Sequence, residues 1–243
     1  MFSFVIPTHE REANLRRVLS ALTFQTDDDF EVIVADDGST DGTAAMVREM
    51  AERLPLKYCW NRHEGARSAL ARSLGTKLRD KKATHVWFLD SDIVIPKDAV
   101  AQAKKIIAKH PDAVLSGRYD WLNKYVWPYE CGADYWEMFS TLLFEPDHRT
   151  VSFDNETVHT HYGCVILGGN VVCPVRWLRE RAFDETIIGG GQDGEFSYYL
   201  QSLGAPLVFS DTIRGLHMWH PLNRLLRDTS MALKLIRARY SKG

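Results

Sequence analysis

Cysteine is scarce in this sequence, its charge is nearly balanced, and long apolar runs are missing. Only four cysteines occur (Cys59, Cys131, Cys164 and Cys173), with no CxxC pair among them. That argues against a short-spaced zinc or redox motif and against a disulfide framework; the thiols are expected to be reduced. Thirty basic residues against 32 acidic ones leave a formal net charge of −2, which gives no global pull toward nucleic acid or an anionic membrane. No apolar stretch approaches the ~18 residues of a membrane span. Met1-Phe2-Ser3-Phe4-Val5-Ile6-Pro7 has neither a basic region nor a long apolar core and does not read as a signal peptide. The expectation from these absences is a cytoplasmic protein. Internal repeats, low-complexity tracts and linkers rich in Pro, Gly or Ser are also missing. What remains is 45% hydrophobic and 26% charged residues over 243 positions, enough to bury a core without staples.

The first 120 residues alternate between two periods. Short apolar or β-branched runs at Phe2–Pro7, Phe30–Ala35, Leu56–Trp60, Val86–Leu89 and Ala113–Gly117 predict strands. Between them, Arg11–Phe24, the segment around Ala45, Met46 and Met50, Ala66–Leu78 and Asp98–Lys109 predict helices. This alternation predicts an α/β fold, a mostly parallel sheet flanked by helices on both faces and built as one continuous domain. Later segments predict a strand at Gly163–Leu167, a short helix at Arg176–Arg181, a helix to about Leu203 that Gly189-Gly190-Gly191-Gln192-Asp193 leads into, a strand at Leu207–Ser210 and a last helix over Leu222–Tyr240.

Ligands on parallel sheets bind at the carboxyl ends of strands. Two predicted strands end there in acid clusters, Asp36-Asp37 and Asp90-Ser91-Asp92. Carboxylates one residue apart suit Mg²⁺ or Mn²⁺, which in turn bridge phosphate oxygens. A carboxylate at the Asp36-Asp37 position can accept from a uracil N–H or from ribose hydroxyls; the plainer alternative for Ser39, Thr40 and Asp41 is helix capping.

Three segments together carry a family resemblance. They are Val5-Ile6-Pro7-Thr8-His9-Glu10, Val32-Ile33-Val34-Ala35-Asp36-Asp37-Gly38-Ser39-Thr40-Asp41-Gly42-Thr43 and Phe88-Leu89-Asp90-Ser91-Asp92. In order and spacing they resemble glycosyltransferase family 2, enzymes of the GT-A fold (Rossmann-like) that use nucleotide sugars. Phe183-Asp184-Glu185 through Gly189-Gly190-Gly191-Gln192-Asp193-Gly194-Glu195 is similar to a segment of chondroitin-polymerase-like and galactosyltransferase-like members. The resemblance covers roughly residues 1–118 and 163–220. It implies a domain over 1–221, with a nucleotide-binding half (1–118) and an acceptor and catalytic half (119–221). A basic amphipathic helix over 222–243 would follow.

The resemblance implies roles residue by residue. Pro7, Thr8 and Glu10 would line a uridine site, Asp37 would read uracil with Asp36 nearby, and Arg67 would contact the nucleotide. Asp90 would touch ribose or sugar alongside Ser91, and Asp92 would bind the metal. Arg72 matches a family arginine, with Ser73 where the family has Asn; for both arginines a surface salt bridge is the alternative. Asp193 would be the general base, since an inverting transfer needs a carboxylate to take the acceptor hydroxyl proton. Glu195 stands as a substitute base. Gln192 replaces the family's Glu and could still hydrogen-bond sugar hydroxyls. Apart from the resemblance, Gly168-Gly169-Asn170, after a predicted strand, reads equally as a donor-sugar contact through Gly169 and Asn170 or as a turn before the helix near Pro174. A late histidine would complete the metal site with Asp92 and Asp90, and His217 is favoured over His220.

The implied function is metal-dependent transfer of a sugar, hexosyl or N-acetylhexosaminyl, from a UDP-sugar to an acceptor hydroxyl. Mn²⁺ (or Mg²⁺) would be the cofactor and the outcome inverting. Acceptors in view are carbohydrate, lipid-linked, peptide or natural-product hydroxyls, with no nucleic acid partner. The alternatives are a retaining transferase of the same fold and a catalytically inactive sugar-nucleotide-binding protein. A nucleotidyltransferase fits poorly, because Pro7-Thr8-His9-Glu10-Arg11 has no glycine to cradle phosphate. Aromatic residues over 119–139, including Trp121, Trp127 and Tyr135, read as core or as sugar-stacking rings. The basic C-terminal helix reads as packed on the domain or as a peripheral membrane contact.

Overall fold

The computed structural model describes residues 1–122, 131–140, 144–146, 155–163, 166, 168–218 and 238–240. The expected alternation is present. It runs β1 (Phe2–Thr8), α1 (Glu12–Leu22), β2 (Phe30–Asp36), α2 (Thr43–Met50), β3 (Leu56–Trp60), α3 (Ser68–Lys77), β4 (His85–Leu89), β5 (Ile93–Val94), α4 (Ala99–Lys109) and β6 (Val114–Leu122). After these come α5 (Tyr135–Ser140), β7 (Phe144–Pro146), β8 (Val158–His159), β9 (Asn170–Pro174), a 3-10 turn (Val175–Leu178), α6 (Gln192–Ser202) and β10 (Leu207–His217).

These strands form one sheet with the order β3-β2-β1-β4-β9-β6-β10-β5; β7 pairs with β6, and β8 with β10. β1 to β4 run parallel, as do β6 and β10. β9 enters antiparallel between β4 and β6. Gly168 and Gly169 form a turn directly before it, and an antiparallel neighbour needs no crossover helix. Side chains alternate across the sheet. Phe4, Ile6, Val32, Val34, Trp87 and Leu89 pack into the core beneath α1, α2 and α4. Val5, Ile33, Val86 and Phe88 pack into a second core with α3 and α6. Burial on both faces explains why these strands are continuous apolar runs.

Register places the strand ends. Thr8 on β1 pairs with Asp36 on β2, and Leu89 on β4 pairs with Asn170 on β9. The carboxyl ends of β1, β2 and β4 and the start of β9 therefore meet along one edge. β10 kinks between Ser210 and Gly215, then pairs His217 with Trp121 on β6 and with Ile93 on β5.

Several expectations shift. Of the strand expected at Gly163–Leu167, only Gly163 and Ile166 are described, and neither is in a strand. The strand is β9, where Val171, Val172 and Cys173 supply the fully buried run. Gly168-Gly169 therefore lead into a strand rather than follow one. The helix expected at Arg176–Arg181 is a 3-10 turn, and β6 and β10 both run longer than predicted. Tyr119 and Tyr135 are core residues. Trp127, Cys164, His220 and most of the predicted C-terminal helix lie outside the described residues; Ala238–Tyr240 form a helical turn. Among the described residues no helix is long and apolar enough to cross a membrane.

One buried histidine carries a pH prediction. His85 opens β4 beside the ring of Phe2, at 5.7 Å between centroids, and burial lowers its pKa from 6.5 to about 4. Protonation between those values favours the unfolded chain. Its contribution is complete above pH 6.5 and is lost as pH falls toward 4. His85→Gln should flatten the loss of stability over that window by on the order of 2 kcal/mol. Urea melts at pH 7 and pH 4.5 check this; an equal acid loss in both proteins would contradict it.

Candidate active site

At the end of β2 two adjacent carboxylates face different ways. Asp36 is fully buried; it accepts the Tyr58 hydroxyl at 2.6 Å and the Ser39 N–H at 2.8 Å. Asp37 accepts the Asn61 side-chain amide at 2.7 Å and the Arg67 N–H at 3.0 Å, and lies 3.1 Å from His63 Nδ1. It thus ties the loop after β2 to the loop before α3. The His63 ring stacks on His9, with centroids 4.0 Å apart and an interplanar angle of 8°. Glu10, at a left-handed φ of 50°, accepts the Thr40 N–H at 2.6 Å and braces the same loops from outside.

At the end of β4, Asp90 and Asp92 take different partners. Arg72, on α3, donates to Asp90 at 2.6 Å and lies 3.8 Å from Asp193; its side chain is 3% exposed, against 37% for each carboxylate. Burial alone would lower the Arg72 pKa, but the two carboxylates outweigh it and hold the guanidinium charged. Asp92 meets Arg11 at 3.2 Å on Oδ2 and His217 Nε2 at 3.3 Å on Oδ1. The backbone of β10 completes this approach, with the Met218 N–H donating to the Asp92 carbonyl at 2.8 Å. The Trp121 ring lies against that of His217, with centroids 3.9 Å apart and a tilt of 32°.

Asp193 sits in the first turn of α6. Gly191 caps that helix at a φ of 97°, a conformation open to glycine at little cost. The preceding loop is pinned by the Gly189 N–H donating to the Ala66 carbonyl at 2.8 Å. Two glycines make room for the acids. A Cβ on Gly168 would lie 2.4 Å from Asp193 Oδ1, and one on Gly169 would lie 2.4 Å from Asp90 Oδ2. Glu195 is fully buried, gripped by Arg181 at 2.5 Å and 3.0 Å and by the Tyr240 hydroxyl at 2.5 Å. That enclosure leaves it no access to a substrate.

A cavity of about 330 Å³ joins these groups. Of the residues expected from sequence, Pro7, Thr8, Asp37, Arg67, Asp90, Ser91, Asp92, Gln192 and Asp193 line it. Glu10, Asp36, Gly169, Asn170 and His217 are not among its lining residues. Asn170 is fully buried; it accepts the Trp87 N–H at 2.9 Å and donates to the Ile213 carbonyl at 2.7 Å. His217 meets Asp92 at 3.3 Å, and the Gly169 carbonyl accepts the Asp90 N–H at 2.9 Å. His9, Arg11, His63 and Arg72 also line the cavity. Of these, Arg72 alone was matched to a family position from the sequence.

A family model described as Glycosyl transferase family 2 matches residues 3–165. The chain belongs to glycosyl transferase family 2. The chain is similar to validoxylamine A glucosyltransferase of Streptomyces hygroscopicus subsp. limoneus, with 32% identity over 96% of this chain and 55% of that protein. Chondroitin synthase of Escherichia coli is 29% identical, over 90% of this chain and 34% of its own length. The chain thus spans about half, or less, of these family 2 relatives. In structure it superimposes on S. aureus TarS 1-349 in complex with UDP-GlcNAc, with a TM-score of 0.73, 20% identity, and coverage of 98% of this chain and 65% of that one. It also superimposes on the mannosyltransferase PcManGT from Pyrobaculum calidifontis in complex with GDP-Man and Mn²⁺, with a TM-score of 0.62, 19% identity, and coverage of 99% and 61%. These likenesses establish a GT-A fold for this family 2 chain.

Proposed function

We propose that this chain transfers a sugar from a UDP-sugar to an acceptor hydroxyl, with inversion and with Asp193 as general base. One observation carries the reading: Asp37, Asp90, Asp92 and Asp193, from four separate segments, border a single cavity. The family membership supports it, as do the UDP-GlcNAc held by the TarS structure and the sugar chemistry in the relatives' names. Those names favour a carbohydrate-type acceptor.

Among the described residues no three His, Cys, Asp or Glu side chains gather to hold an ion. Asp92 and His217, 3.3 Å apart, offer one oxygen and one nitrogen. Asp92 and His217 would hold an ion brought with a nucleotide, hard oxygen donors being what such ions prefer, and the imidazole would favour Mn²⁺ over Mg²⁺. The Mn²⁺ in PcManGT supports this. Asp90 is turned to Arg72, so we assign it to donor hydroxyls rather than to the ion. When bound, the cation would neutralise charge on the departing diphosphate.

The chain's own groups do the rest. Asp37 and the His9–His63 stack wall the nucleoside end, and Arg67 borders it. Arg72 holds Asp90 and Asp193 at a fixed separation. Asp193 takes the acceptor hydroxyl proton as that oxygen bonds to the anomeric carbon and the bond to the diphosphate breaks.

A panel of UDP-sugars with Mn²⁺, scored by thermal shift and by hydrolysis, tests the reading. We expect at least one donor to raise the melting temperature and to be hydrolysed. Silence from every donor would favour an inactive binding protein or a different nucleotide. Asp92→Ala should weaken UDP binding about tenfold with Mn²⁺ present and barely without it; equal affinities by calorimetry would remove Asp92 from the metal site. Gly168→Ala should cut turnover about tenfold at little cost in stability, because its Cβ displaces Asp193. Full turnover by a folded Gly168→Ala would mean that the position of Asp193 is not critical.

A further inference from the structure

The segment that carries Asp193 is tied at both ends by one dipeptide from elsewhere in the chain. Asp184 stands before the Gly189-Gly190-Gly191 loop, and Glu195 stands in the first turn of α6. Arg239 donates to Asp184 at 2.8 Å across 55 positions. The Tyr240 hydroxyl donates to Glu195 at 2.5 Å across 45 positions. That hydroxyl also accepts from Arg181 at 2.9 Å, and its ring stacks on Tyr198, with centroids 6.0 Å apart and a tilt of 15°. Burial alone would raise the Asp184 pKa, but bonds to Thr186 and Arg239 outweigh it and bring it down to about 2. Burial and the Glu195 bond push the Tyr240 hydroxyl up to about 12. At neutral pH the first leg is therefore an ion pair and the second a neutral donor on a carboxylate.

An apolar layer joins the same ends, with the Phe183 and Phe196 rings stacked at 4.1 Å. Apolar burial brings the ends together with little directional preference, whereas hydrogen bonds also constrain angle. Residues two apart on a helix face different ways. Glu195 is fully buried, while Asp193 borders the cavity, so the groups that seat Glu195 constrain Asp193 from behind. We propose that Arg239 and Tyr240 are positioning residues for the general base. Neither lines the cavity; they act through Asp184 and Glu195, on either side of Asp193. This rests on the assignment of Asp193 as base and adds two residues which that assignment does not require. A base must stand within hydrogen-bond reach of the proton it takes, and a small misplacement costs rate steeply. Asp37 and Asp92, on other elements, bind the donor without this clasp. Its loss therefore falls on the transfer step and spares donor affinity.

Tyr240→Phe keeps the ring and the Arg181–Glu195 pair and removes one hydroxyl. The probe is the UDP-sugar of the panel above that the wild-type protein hydrolyses in Mn²⁺, water standing in for the acceptor hydroxyl. Single-turnover hydrolysis by Tyr240→Phe should be about fivefold slower. Its calorimetric affinity for that UDP-sugar should stay within about twofold, and its melting temperature should fall by no more than about 4 °C. Arg239→Ala should act in the same direction, and Arg239→Lys, which keeps a cation for Asp184, should recover most of the rate. The deciding measurement repeats Tyr240→Phe in an Asp193→Asn background. With no base left to aim, the residual rate should change by less than about twofold. Equal slowing in both backgrounds overturns the proposal, because a bond that only stabilises the fold is indifferent to Asp193. Wild-type rates in both Tyr240→Phe and Arg239→Ala overturn it as well. If Asp193→Asn alone turns over normally, or if no UDP-sugar is hydrolysed, the base assignment fails and takes this inference with it. If Asp193→Asn is slow while the Arg239 and Tyr240 variants are not, the clasp alone falls.

Discussion

Asp193→Asn should lower transfer by about 10³-fold while leaving UDP-sugar affinity within about twofold. The substitution keeps the size of the side chain and removes its charge, and with the charge its ability to take a proton. Asp193 stands at the cavity wall in the first turn of α6, with Gly191 setting the helix start and Gly168 leaving space for its oxygen. No neighbouring acid replaces it. Glu195, two positions on, is enclosed by Arg181 and Tyr240, and Asp90 is committed to Arg72. Single-turnover transfer and calorimetric donor binding, measured on the same preparation, separate the two effects. Near-normal transfer by Asp193→Asn would move the base elsewhere and remove the central claim of the mechanism.

Arg72→Met should cost about 2 kcal/mol of stability and at least tenfold in transfer. A buried pair broken on one side usually costs more, but Asp90 and Asp193 keep 37% of their side chains in water, which offsets part of the loss. Without the guanidinium, two carboxylates that share it face each other across the site. Arg72→Lys restores the charge but not the reach of a guanidinium between Asp90 and Asp193, so it should recover stability better than turnover. Urea melts and steady-state kinetics on both variants check this. An Arg72→Met protein as stable and active as wild type would show that Arg72 is an ordinary salt bridge.

The main elements were legible because each segment's own burial writes its period. Phe30-Glu31-Val32-Ile33-Val34-Ala35 is β2 in the structure, and Leu15, Val18, Leu19 and Leu22 mark the buried face of α1. β9 was misplaced because its run is short and its neighbours in the sheet, β4 and β6, are distant in sequence. Three readings of the site needed coordinates. Adjacent acids at a strand end point to different sides; the family resemblance put Asp37 on the nucleotide with Asp36 nearby, and only coordinates showed Asp36 turned inward to Tyr58 while Asp37 lines the cavity. Gly168-Gly169 read as a sugar-holding turn, yet their missing side chains accommodate Asp193 and Asp90. Arg72 read equally as a surface pair, yet it is buried beneath two acids.

The sequence by itself determined the α/β alternation, the family resemblance and the inventory of acids at strand ends. Those depend on near neighbours along the chain, where hydrophobic period and turn chemistry act. Only the tertiary structure decided which charge answers which. Arg11 meets Asp92 across 81 positions, and Arg72 meets Asp90 across 18. Such pairings follow from strand order and register, since a long-range electrostatic partner leaves no periodic trace in either segment.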